Sequence, residues 1–332
     1  MEVTNIIVID NKINYENTIF KDLLNNNKHL FPNKLQKTLS FKLSNCNIEL
    51  ANAIRRIITN ELEIKILKVN ITDVNTDDKY ILPDLIKDRI ELISIDQNIP
   101  NDCKFKLTVS NNTLDITNIT SNDLILLNHK ELNIKNLFNT NIIICYLNSN
   151  KYITINDIII HTDTGYNNGK YSLCSVKYDI INTDFKIPTL NNNNTDFQFK
   201  IKTNGNIEPI KIINLVEENL NKRLDIIENN INKFNKIYNS NDKQLLDTND
   251  LYIIKNYDIY NYYINNESHT IGNLLVRYIY DLEPTIELIN YTIPHPSKNQ
   301  FILNIKHSDH NKLLINAINK IKKDIKLFKS YF

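Results

Sequence analysis

The sequence predicts an α+β chain made of two halves with one plan, and a β-rich domain inserted in the first half. Three observations predict it. Ile213, Val216, Leu220, Leu224, Ile227, Ile231, Phe234 and Tyr238 step by three and four without a break. That is an apolar seam roughly 40 Å long at about 1.5 Å per residue, too long to be left in water. Leu314, Ala317, Ile318, Ile321, Ile325 and Phe328 repeat the pattern near the C-terminus. Ahead of each seam the order is the same: an alternating strand, a short helix, then further strands. Each half therefore has a helix layer that nothing of its own covers, and packing the layers together gives a pseudo-two-fold pair within one chain.

The elements follow in order. Residues 1–38 read as an N-terminal extension with a strand over 6–9 and an apolar segment over 20–24. Leu39, Phe41 and Leu43 alternate with polar residues, which predicts a half-buried strand. Ser44 or Asn45 supplies turn and capping chemistry, and Leu50, Ile54, Ile57 and Ile58 predict a helix over 48–60. A strand over 64–74 and a helix over 83–94 follow, with Leu85, Ile86, Ile90 and Ile93 inward. From 97 to 190 the pattern is β-rich, with strands over 105–110, 142–147 and 152–160. The alternating segment 197–205 returns to the first domain, and the long helix starts near Pro209.

The polar, turn-rich stretch 240–250 reads as a linker. Beyond it come a strand over 257–264 and a helix over 270–282, with Ile271, Leu274, Leu275 and Tyr278 on one face. Paired strands over 286–291 and 301–305 flank a Pro-His-Pro turn at 294–296, and the second seam helix closes the half. The expected organisation is thus an extension (1–38), a first dimerisation unit in two parts (39–96 and 191–240), an insert (97–190), a linker (241–255) and a second unit (256–332).

Composition excludes several function classes. Net charge is +1 over 332 residues, so the chain offers no basic field to a nucleic acid. The four cysteines, Cys46, Cys103, Cys145 and Cys174, form no CxxC pair and read as reduced, mostly buried thiols rather than zinc ligands. Four glycines leave little room for a phosphate-cradling loop, and no P-loop, dinucleotide pattern, GxSxG or HExxH occurs. The aspartates of 71–80 read as surface, without the clustering that holds catalytic magnesium. No cofactor is expected. No run of eighteen apolar residues and no signal peptide is seen, so a soluble, intracellular protein is expected. The abundance of Asn, Ile and Lys reflects A/T-rich codons more than fold.

Two motifs carry more. Ala51–Ile58 (ANAIRRII) combines small residues, which allow close helix approach, with Asn52 and the paired Arg55 and Arg56, which cannot both face a core. In His269–Leu275 (HTIGNLL), Thr270 can cap the helix, Gly272 permits close approach in the first turn, and Asn273 can hydrogen-bond across the interface beside Leu274. A lone histidine such as His269, with no nucleophile or carboxylate pair near it in sequence, reads as structural. The segment 266–305 resembles the small assembly subunit of cellular RNA polymerases, numbered eleven in RNA polymerase II. The segment 39–71 resembles its partner, the third-largest subunit. The segment 142–172 resembles the domain inserted in that larger subunit, with its glycine-containing loop at Gly165 and Lys170–Ser172. Lys87–Ile95 (KDRIELISI) resembles a further stretch of the larger subunit and keeps Arg89 and Leu92, but carries Glu91 and Ser94 where a glycine and a proline are usual.

The resemblance implies two dimerisation domains of the bacterial alpha or archaeal D–L type, fused into a pseudo-heterodimer. It implies a non-catalytic platform on which the two largest polymerase subunits dock, with a small zinc-binding subunit as a further partner and no direct sequence-specific nucleic-acid or membrane contact. Asn52, Arg55, Arg56, Arg89, His269, Thr270, Gly272, Asn273 and Leu274 are its expected interface residues, with one of the paired arginines meeting a large subunit. Fusion of the two subunits implies a large cytoplasmic DNA virus, working in host cytoplasmic factories and packaged in virions; an A/T-rich protist, with a nuclear protein, is the other source. A nucleic-acid-binding transcription factor on the same fold is the alternative function, and an enzyme with an unfamiliar site a third.

Overall fold

The computed structural model describes residues 1–10, 36–129, 131–133, 137–138, 142–172, 174–181, 195–203, 207–233, 237–239, 251–295 and 299–332. The first half holds β1 (Glu2–Asp10), β2 (Lys37–Cys46), α1 (Ile48–Arg56), β3 (Glu63–Val69), β4 (Val74–Thr76) and α2 (Pro83–Glu91). It continues with β5 (Lys104–Asn111), β6 (Thr117–Thr120), β7 (Leu124–Leu126), β8 (Ile143–Leu147), β9 (Lys151–Thr164), β10 (Cys174–Ile180), β11 (Thr195–Thr203), α3 (Pro209–Lys233) and β12 (Ile237–Asn239). The second half holds β13 (Leu251–Asn256), β14 (Ile259–Asn265), α4 (His269–Leu282), β15 (Leu288–Thr292), β16 (Gln300–Lys306) and α5 (His310–Lys329).

Two sheets frame one core. The first has strand order β1-β2-β11-β10 and the second β12-β13-β14-β16-β15. Alternation places Leu39, Phe41 and Leu43 of β2 beside Phe197, Phe199 and Ile201 of β11, all fully buried. Phe41 pairs with Phe199 in register, and their rings stack at 5.1 Å. Helices α1, α3, α4 and α5 share a single core with the buried faces of both sheets. All six described seam residues of α3, from Ile213 to Ile231, and all six of α5, from Leu314 to Phe328, are buried in it. Both helix layers meet across the halves, with α3 packed on α5 and α1 on α4, while α5 also packs on α4 of its own half.

A second core lies under β3-β9-β5-β7, β4 and the β6–β8 pair. It divides the first half differently from the expected 39–96 and 97–190. Strand β3 serves both cores, with Ile64 and Ile66 in the first and Leu67 and Val69 in the second. Helix α2 buries Ile86 and Ile90 in the second core, while β10 returns to the first sheet beside β11. Leu85, expected inward, is exposed, because two positions four apart suffice for so short a helix. Asp78, expected at the surface, is buried and accepts bonds from Tyr80 N and from the Asn148 side chain; these hydrogen bonds hold its carboxyl below the usual range against the opposing effect of burial.

Other boundaries shift for local reasons. The seam was expected to run to Tyr238 on one helix, but α3 ends at Lys233 and Tyr238 pairs in β12 with Ile254, in parallel; Phe234 lies outside the described residues. Asn229, Asn230 and Asn232 weaken the helix end. The span expected as linker at 241–255 contains β13, whose Leu251–Ile254 run is buried; 241–250 lies outside the described residues. Strands β13 and β14 form a hairpin closing at Asn256↔Ile259, with Tyr257 at φ 53° in the two-residue loop.

The N-terminus of α5 is tied to its own sheet by a buried polar chain. His310 Nδ1 donates to Tyr262 Oη, which donates to Asn311 Oδ1 at 2.6 Å, and the Tyr260 ring stacks on the imidazole at 3.5 Å. Burial, then the nearby Lys255, lowers the His310 pKa from 6.5 to about 4. Between these values the unfolded chain binds a proton that the folded chain does not, so stability falls as pH drops from about 6.5 to 4. The loss is up to about 3 kcal/mol. Urea titrations across this window should show the slope, and His310→Gln should flatten it; an unchanged slope in the variant would assign the titration elsewhere.

Candidate assembly interface

The surfaces that join the halves are built from α1 and its continuation. Asn47 caps α1, its Oδ1 accepting Leu50 N at 2.8 Å, and Ala51 and Ala53 are buried. Beyond Arg56 the helix widens into a π turn, Ile57–Glu61, in which Leu62 N donates to Ile57 O at 3.2 Å. The expected helix over 48–60 thus has a changed pitch in its last turn, a feature often found at functional sites. It delivers the Glu61 carboxylate to the hydroxyl of Thr270 on α4.

Around Glu61 the two halves interlock. Arg56 Nε donates to Thr270 Oγ1 at 2.8 Å, and Thr270 Oγ1 donates to Glu61 Oε1. From α3, Arg223 donates through Nη1 to Glu61 and through Nε and Nη2 to both oxygens of Glu267, the Nε–Oε1 distance being 2.9 Å. Burial works against the guanidinium charge, yet Glu267 and Glu61 hold the Arg223 pKa above its ordinary value. The network lines an open cleft of about 410 Å³ between the halves. Farther along the helices, Lys322 pairs with Asp225 and Glu228, Lys329 with Glu217 at 2.6 Å, and Tyr278 Oη donates to Asp324 at 2.8 Å. Arg277, buried on α4, lies 4.0 Å from Glu49 of α1.

The nine expected interface residues separate into five groups. Arg56, Thr270 and Leu274 lie in the seam between the halves. Asn52 and Arg55 lie half-buried on α1, and His269 and Asn273 are exposed on α4. Gly272 is buried against the second sheet, and Arg89 lies apart from the seam on α2, where its Nη1 holds Ile144 O at 3.0 Å.

Three expected roles change. Ser268, not Thr270, caps α4, accepting Thr270 N at 3.4 Å, because the helix starts one residue earlier. Asn273 faces outward rather than across the seam. Gly272 makes room for the ring of Tyr291 rather than for another backbone: a Cβ there would sit 2.7 Å from Tyr291 Cδ2. Tyr291 also bonds His269 Nδ1 through its hydroxyl at 3.1 Å.

Gly272→Ala is therefore expected to cost about 1–3 kcal/mol by overpacking, against a helix-propensity gain of under about 1 kcal/mol. In a Tyr291→Ala background the clash is gone and the same substitution should stabilise. Thermal midpoints of the four proteins check this sign reversal; a loss in both backgrounds would refute the ring contact.

Sequence reasoning missed Glu61, Arg223, Glu267 and Tyr291. The one signal that could have pointed to Arg223 is the rarity of arginine in a lysine-rich chain. The cysteines are all buried free thiols. Burial pushes Cys46 and Cys174 up to about 12 and Cys145 up to about 11. Such thiols are not thiolates at neutral pH. Among the described residues no group of three or more His, Cys, Asp or Glu side chains is placed to hold a metal ion. No helix among them is long and apolar enough to cross a membrane.

Comparison with known families settles what this paired architecture is. A model described as the RNA polymerase Rpb3/Rpb11 dimerisation domain matches residues 40–224, and a second of the same description matches 260–330. The chain belongs to the RNA polymerase Rpb3/Rpb11 dimerisation domain family. It carries two such domains, and the seam is where these Rpb3/Rpb11-type domains meet. Proteins from two African swine fever virus isolates, each described as a DNA-directed RNA polymerase RPB3-11 homolog, are 41% identical over 58 residues. That is 17% of this chain and 16% of each viral protein. The DNA-directed RNA polymerases I and III subunit RPAC2 of Saccharomyces cerevisiae is 40% identical over 63 residues, 19% of this chain and 42% of its own. The matched stretches thus span less than half the length of these relatives.

Proposed function

We propose that the chain is a non-catalytic assembly subunit of a multisubunit DNA-directed RNA polymerase, a preformed platform on which the two large catalytic subunits dock. The observation that carries this is the single core shared by two Rpb3/Rpb11-type domains on one chain. What separate subunits would reach by association is intramolecular here, at an effective concentration on the order of millimolar. The outward residues Asn52, Arg55, His269 and Asn273 are the docking residues of this reading. A small zinc-binding subunit is the further proposed partner. The similarity to viral proteins supports work in the cytoplasm of an infected host, in viral factories, and packaging in virions.

Affinity purification of the tagged protein from its native source, with mass spectrometry of the co-eluting chains, tests the proposal. Two very large chains at one-to-one stoichiometry are expected. Elution alone, or with DNA in a salt-dependent complex, would favour a DNA-binding factor on the same fold.

A further inference from the structure

We infer that the connection between β9 and β10 is a strap that holds the end of α1 in its π pitch, and that Gly165 and Ser172 are the residues through which it positions Glu61 for the other half. The last carbonyls of a helix have no partner within it. Here four successive ones each meet a donor from elsewhere. Cys174 Sγ donates to Ile58 O at 3.6 Å, Ser172 Oγ to Thr59 O at 3.1 Å, and Tyr166 N to Asn60 O at 2.8 Å. The fourth, Glu61 O, accepts Asn219 Nδ2 of α3 at 3.0 Å. Three of the four donors thus come from one segment, more than a hundred positions along the chain. Burial keeps the Cys174 thiol protonated at neutral pH, so it can act as a donor.

The segment is fixed on both sides of the turn it grips. It leaves β9, a strand of the second core's sheet, and enters β10, a strand of the first sheet. Tyr171 is buried in the first core, with its hydroxyl 2.7 Å from His161 Nδ1. Lys170 Nζ pairs with Asp88 and Glu91 of α2 at 2.6 and 2.5 Å. Contact with the turn is backbone-close at Gly165. A Cβ there would lie 3.2 Å from both Asn60 Cα and Thr59 O, which are backbone atoms that cannot swing aside. The pitch follows from these contacts. An α turn would hand Leu62 N to Ile58 O, the carbonyl that Cys174 takes; instead Leu62 N reaches back to Ile57 O at 3.2 Å. The extra residue in the turn swings Glu61 to Thr270 and Arg223. The insert and the seam are therefore mechanically coupled, and what loosens the strap loosens the pairing of the halves.

The test measures urea midpoints of the full chain as wild type, Gly165→Val, Ser172→Ala, Thr270→Val and each strap variant combined with Thr270→Val. Neither strap residue is bonded to Thr270, so a purely local role predicts additive losses. Coupling predicts that Thr270→Val lowers the midpoint in wild type but keeps less than about half of that effect beside Gly165→Val, because Glu61 has already withdrawn. Ser172→Ala, which removes one hydrogen bond and adds no bulk, should shrink the effect in the same direction by less; if Gly165→Val does not fold, this milder variant decides. Amide exchange gives an independent readout. The strap variants should quicken exchange in the first turns of α4, across the seam, as well as at 57–62. Additive midpoints, or faster exchange confined to 57–62 and 164–174, would overturn the inference and leave the segment an ordinary helix cap.

Discussion

Arg223→Met is expected to destabilise the protein by about 3–5 kcal/mol, because it leaves two carboxylates without their shared cation. Glu267 is buried and Glu61 nearly so, and Arg223 bonds both oxygens of the first and one of the second. Arg56, 3.6 Å from Glu61, can compensate only on one side. The loss is thus mainly the cost of a stranded charge, not the net worth of the bridges. A second measurement separates the two. Adding Glu267→Gln and Glu61→Gln removes the stranded charges and should recover a large part of the loss in urea denaturation. If the triple variant is no more stable than Arg223→Met, the arginine acts by packing its stem rather than by charge, and the account of the network is wrong.

How much of this was legible depended on the range of the signal. Both seams could be read because burial on a helix leaves a period of three to four, and Ile213 to Ile231 and Leu314 to Phe328 keep it. The two-domain fusion was legible too, since the HTIGNLL and ANAIRRII motifs lie far apart in sequence yet pack side by side on α4 and α1. What sequence could not assign was membership. Ile86 and Ile90 announce an apolar face but not which core it meets, and β3 faces two cores within seven residues. The β13–β14 hairpin was hidden because its loop is Tyr257-Asp258, where a two-residue turn usually shows glycine. Among the site residues, the pair at 55–56 was visible but not the difference between its members. That difference depends on Thr270 and Glu61, separated from each other by more than two hundred positions.

Phe328→Ala is the sharpest test of whether the halves form one body. The ring is fully buried on α5, near the C-terminal end of the chain, yet it lies 5.8 Å from the ring of Phe41 on β2 and 5.3 Å from that of Phe332. Phe332 itself meets Phe41 edge-on at 5.0 Å. Removing the ring opens a cavity beside the two remaining aromatics and should cost about 3–5 kcal/mol. Because the chain has no tryptophan, circular dichroism in urea is the suitable readout. The place of the loss matters more than its size. In a shared core the loss is felt on both sides of the seam, so amide exchange should quicken in β2 and α1 as well as in α4 and α5. Faster exchange confined to 251–332, with β2 and α1 protected as in wild type, would mean that two self-sufficient domains merely touch. The case for a preformed platform would then have to rest on the polar network at Glu61 alone.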